Sequence, residues 1–179
     1  MRPTFVRFGL AAMLLVVGAG LAQAQVTVTL PDSSQTTTLT ATVSPQARVT
    51  VPAGVNFSVT DITAATAASA ATVTITNIVT PTSSSQLRLS LQADAAAFTP
   101  PSAGTSWSAT DVSWAAGSWT NATGAGGTLS SASYNTVATC DANASACSTS
   151  GLVFTLGANN AVNRSGNHTL VVRWRLQAI

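Results

Sequence analysis

The sequence predicts an all-β domain built from two antiparallel sheets packed face to face. Three observations lead there. Apolar and polar residues alternate in short runs, which is the period of a half-buried strand. Thr, Ser, Ala and Val dominate while Lys and Glu are absent, so strand formers outnumber helix formers. Turn residues punctuate the early runs at spacings of about eight to ten residues, as in sandwiches and barrels.

The first 24 residues stand apart from that pattern. Arg2 and Arg7 form a positive start, and Phe8 to Ala22 is uncharged and mostly apolar. Ala22-Gln23-Ala24 is a small-x-small site. This is the layout of a secretory signal peptide, cleaved after Ala24. The apolar run falls short of the roughly 20 residues that a spanning helix needs. The expectation is therefore a secreted or cell-surface chain with no membrane span after cleavage, passing through a periplasm if the source is Gram-negative.

Residues 25–38 read as a strand and a linker, and residues 39–179 as the sandwich domain. Val26, Val28 and Leu30 share one face of the strand, and Thr27 and Thr29 the other. Pro31 stops it, and Asp32 to Thr37 is polar. Leu39, Ala41 and Val43 alternate next, up to the Ser44-Pro45 turn. Arg48 and Thr50 alternate with Val49 and Val51, and Pro52-Ala53-Gly54 turns the chain. Val55, Phe57 and Val59 predict a further strand. Asp61 to Ala71 is Ala- and Thr-rich without an apolar stripe, so a loop or irregular edge is expected. Val73 to Val79 resumes strand character. Leu87, Leu89 and Leu91 alternate with Arg88, Ser90 and Gln92, which excludes a helical face. Val112 and Trp114 suit a core-facing strand end. Gly124 to Gly127 is a turn, Thr128 to Thr139 holds one or two strands, and Leu152, Phe154 and Leu156 make another. In the last strand, Leu170, Val172, Trp174 and Leu176 should face the core, with Val171, Arg173 and Arg175 facing out. An immunoglobulin-like sandwich is the natural solution for such a run of strands.

Without residues 1–24 the chain keeps five Arg (48, 88, 164, 173, 175) against five Asp (32, 61, 94, 111, 141) and is formally neutral. A neutral chain without Lys has no electrostatic footprint for nucleic acid. Without charge repulsion, self-association is also less opposed.

Chemically equipped residues are few. Cys140 and Cys147 form C-x6-C in an exported chain and predict a disulfide. Asp141, Asn143 and Ser145 imitate the start of a calcium loop, but the Gly and Glu that complete it are missing, so a solvated hairpin tip is expected and no metal or cofactor. His168 is the single histidine, placed where a loop enters the last strand. No G-x-S-x-G turn or paired carboxylate cluster accompanies it, so no enzymatic activity is expected. Trp107, Trp114 and Trp119 lie close together. Trp114 and Trp174 suit the core. Trp107, Trp119 and Tyr134 either cap it or form a platform that stacks on sugar rings, so a carbohydrate-binding or adhesive module is the alternative function class.

The export segment, the alternating strand Val26–Leu30, the Thr/Ser/Ala/Gly-rich β domain and the terminal run Gly166 to Leu176 (GNHTLVVRWRL) together resemble small bacterial surface proteins of the fimbrial, pilin-like or spore-coat-U-like type. The resemblance covers layout, and it departs at two places. The cysteine pair is late and close together, and the chain ends Gln177-Ala178-Ile179 with no Tyr near the terminus. It implies a structural subunit of a surface fibre, with a second copy of the chain as partner. In such subunits the N-terminal strand completes a neighbour's sheet. Taken alone, Gln25–Leu30 reads first as an edge strand of its own domain.

Overall fold

The computed structural model describes residues 25–179. The proposed export segment, Met1 to Ala24, lies outside the described residues. Residues 25–41 and 42–179 are separate units. The first carries no strand, so the expected strands at Gln25–Leu30 and at Leu39–Val43 are corrected: neither belongs to any sheet. The residues have the right alternation, but alternation alone supplies no partner for the backbone. Val26 and Leu30 are exposed, and Val28 marginally so. Asp32 closes this segment with a turn, accepting hydrogen bonds from Ser34 Oγ, Gln35 Nε2 and the Ser34 amide, and these hold its carboxyl below the usual range.

The second unit is all-β and antiparallel. Its strands are β1 (Gln46–Thr50), β2 (Thr66–Ala67), β3 (Ala71–Val79), β4 (Leu87–Ala93), β5 (Val112–Trp114), β6 (Ala122–Gly124), β7 (Gly127–Thr128), β8 (Asn135–Cys140), β9 (Cys147–Leu152), β10 (Phe154–Leu156) and β11 (Val172–Ala178), with one 3-10 turn at Ala109–Asp111. They pair in three sheets: β1-β3-β9, β2-β10-β5-β7, and β11-β4-β8-β6. The first two behave as one interrupted layer. β2 leads into β3, β10 follows β9 after Val153 alone, and each member of one pair bonds its counterpart in the other. The Ala68 amide donates to the Phe154 carbonyl across the break. The result is two layers, with β1 and β11 at the outer edges on one side and β7 and β6 on the other.

The core lies between the layers. Val73, Ile75, Leu89, Leu91, Val137 and Leu152 are fully buried, each on the apolar face of its strand, as period two requires. Trp114 packs edge-on against its cross-strand partner Phe154, and its Nε1 donates to the Ala125 carbonyl at 2.9 Å. Gly127 permits this: a Cβ there would meet Trp114 Cζ2 at 2.6 Å. The tight β6–β7 connection beneath Trp114 crosses between the layers and closes that side of the sandwich.

Cys140 and Cys147 are bonded and buried, with Cα atoms 5.8 Å apart. The loop between them is an arch from β8 in one layer to β9 in the other, which corrects the expected hairpin tip. Removing the bond by replacing both cysteines with Ser should cost about 2.5 kcal/mol in the chain-entropy picture of so short a loop. Urea unfolding of the variant measures it, and an unchanged midpoint would contradict the estimate. Near the start of the domain, Asp61 accepts hydrogen bonds from Thr63 Oγ1 and the Thr63 amide, which hold its carboxyl below the usual range. That turn contributes stability above the ordinary carboxylate range and loses it as pH falls through the lowered value.

Candidate functional site

Val55, Phe57 and Val59 fulfil half of their expectation. They point inward while Asn56 and Ser58 are at or near the surface, yet the segment pairs with no strand. This corrects the predicted strand at 55–59. It follows β1 in the chain and packs these three side chains against the core. Opposite it runs β11, the edge of the other layer, paired with β4 alone.

Between these two edges the sandwich is open. A cleft of about 880 Å³ enters there and reaches the core. Phe57 and Val59 stand on one wall, Leu170 and Val172 on the other, and Trp107 and Leu129 on its floor. The apolar lining follows from the residue pattern, since these side chains sit on core-facing positions but lack a third layer of cover.

The β11 wall also offers main-chain groups. Gln86 and Ile179 exchange both backbone hydrogen bonds, and the Asp94 amide donates to the Val171 carbonyl. The pairing with β4 runs without a shift from Val172 to Ala178. Odd-numbered residues therefore bond β4, while the amides and carbonyls of Val172, Trp174, Leu176 and Ala178 point away from it. Among the described residues, no strand pairs with that edge. The inward side chains Val172, Trp174 and Leu176 belong to the same residues.

A polar clasp ends the cleft. His168 Nε2 lies 2.9 Å from the Arg164 carbonyl, which can only accept, so that nitrogen carries the proton. Nδ1 is hydrogen-bonded to Ser106 Oγ at 2.6 Å, and in the neutral ring it accepts from that hydroxyl. The Thr105 amide donates to Asn163 Oδ1, and Arg164 Nε to the Ala103 carbonyl. Together these bonds tie the 159–168 loop to the 103–106 loop. The expected surface histidine is thus half-buried and bonded on both ring nitrogens. Nothing in the sequence pairs Ser106 with His168 across 62 positions.

The aromatic candidates separate. Trp107 is 5% exposed, donates Nε1 to the Gly157 carbonyl at 2.9 Å and meets His168 edge-on. It is a floor residue, which corrects its reading as a stacking platform. Trp119 is half-buried beside Gly124, and its Nε1 is the one buried side-chain polar atom without a partner among the described residues. The Tyr134 ring is covered by the Arg175 guanidinium, 4.2 Å from the ring centroid. Trp114 is buried and Trp174 packs against the core, as expected. Among the described residues no group of three or more His, Cys, Asp or Glu could hold a metal ion, and no helix is long and apolar enough to cross a membrane.

Comparison with protein-family models, curated proteins and solved structures returns no match.

Proposed function

We propose that this protein is a secreted, non-enzymatic structural subunit of a surface fibre, in which Gln25–Leu30 of one copy adds to the open edge of the next. The observation that carries the reading is the apolar cleft beside the unpaired edge of β11. An open edge next to exposed core residues invites strand addition. Gln25–Leu30 is the right kind of occupant. Val26, Val28 and Leu30 would enter the cleft, Thr27 and Thr29 would face outward, and the backbone would bond Val172, Trp174 and Leu176. Pro31 and the Asp32 turn end the strand, and the residues up to Ala41 span the gap between copies.

Burying three such side chains stabilises the junction by about 1.5–3 kcal/mol each before ordering costs. Six residues of strand measure about 20 Å, close to the length of β11. Assembly of the processed chain should therefore appear as end-to-end oligomers or filaments in sedimentation and electron microscopy. A clean monomer at high concentration would contradict it.

A further inference from the structure

The sheet β11-β4-β8-β6 turns its other face away from the core, and that face is polar and unevenly charged. Arg88 projects from β4, Arg173 and Arg175 from β11, and Thr136 and Thr139 from β8. Three of the five Arg in the domain thus share one face, in a domain that carries only four Asp. Asp94 pairs with Arg173. Asp141, beyond the end of β8, makes no ion pair among the described residues, and neither Arg88 nor Arg175 has an acidic partner there.

We propose that this face binds a linear acidic polysaccharide through its carboxylates, with Arg88 and Arg175 as the anion-binding groups. Arg88 lies opposite Gln177, and Arg175 opposite Ser90. The two Arg are therefore diagonal neighbours, about 7–8 Å apart along the sheet. Like charges so placed repel one another, and an anion lying across both removes the repulsion. Arg175 is already fixed. Its guanidinium is stacked on Tyr134, which lowers the ordering cost of a bidentate contact. Ser90 lies between Arg175 and Thr136 in the register and is only 1% exposed although it sits on the polar side.

Three features select the partner. The planar fork of Arg matches a carboxylate, and Asp94 on Arg173 shows a carboxylate already held at this face. Thr136, Thr139 and Gln177 supply hydroxyl and amide groups suited to sugar hydroxyls. Two free cations are too few for a nucleic acid, where six to ten phosphate contacts are common. The site is independent of strand donation, since none of these residues lines the cleft.

The test measures binding of the full processed chain to polygalacturonate, dextran sulfate and neutral dextran at low and high salt. Arg88→Gln and Arg175→Gln should each weaken polygalacturonate binding about tenfold, and the pair about a hundredfold, the scale of a lost charge-assisted contact. Both residues lie on the polar face, so both variants should stay folded, with Arg175→Gln losing no more than its stack on Tyr134. Arg48→Gln, on the other layer, should leave binding within about twofold if the contact is local rather than a general charge effect. High salt should release the polymer. The proposal is overturned if the wild type ignores polygalacturonate, or if it binds neutral dextran as well. Capture of dextran sulfate alone, or equal losses in Arg48→Gln and the double variant, would overturn it too.

Discussion

Deleting Gln25–Leu30 from the processed chain should leave a folded monomer that no longer joins its neighbours. No sheet includes those six residues, and the core residues lie between β1 and β11, so the domain keeps its own packing. The junction, however, loses three apolar side chains and its edge hydrogen bonds. At the low end of the burial range, three side chains amount to about 4.5 kcal/mol, or roughly three orders of magnitude in affinity. Val28→Asp makes the same point with a single substitution, because it sets a carboxylate against the apolar walls of the cleft, while Arg164 at the cleft's end is already bonded to the Ala103 and Asn163 carbonyls. Sedimentation of both variants reads the effect directly. Oligomers of unchanged size in the deletion variant would remove strand donation from the account.

Trp107→Ala should be the most damaging single substitution at the cleft, costing about 3–5 kcal/mol of stability. The indole is almost fully buried, floors the cleft and bonds the Gly157 carbonyl, so its removal opens a cavity and strands an acceptor. Trp107→Phe keeps most of the apolar volume and loses chiefly the hydrogen bond, a difference of about 1 kcal/mol from wild type. Urea unfolding of both separates the two contributions. A cost below 1 kcal/mol for the Ala variant would return Trp107 to the role of a surface platform.

Much of the domain was legible because period two marks which side chains face inward. Leu87 to Ala93 follows its alternation except at Ser90, whose burial comes from neighbours on the outer face. Leu152, Phe154 and Leu156 are all buried as expected, although a break after Leu152 divides them between two sheets. The disulfide followed from the spacing of the two cysteines and the expectation of export. Pairing was not legible. Val55 to Val59 and Gln25 to Leu30 carry the same alternation as real strands, and only the absence of a partner distinguishes them. The cleft was invisible for the same reason, since it lies beside an edge with which no described strand pairs. The Ser106–His168 clasp joins two loops far apart in sequence, and no local signal announces such a contact. Whether Trp107 caps the core or forms a platform was not legible, because an aromatic in a loop-rich stretch has the same composition in either place.

Strand donation requires that the occupant of the cleft come from another copy. Mixing a Val28→Cys chain with a Val172→Cys chain under mild oxidation tests this, because the native cysteines are already bonded to each other. A covalent dimer containing one chain of each kind is expected. A chain that carries both substitutions should form no monomeric crosslink at assembling concentrations. No mixed dimer, or a crosslink confined to single chains, would mean that the strand does not pass between copies.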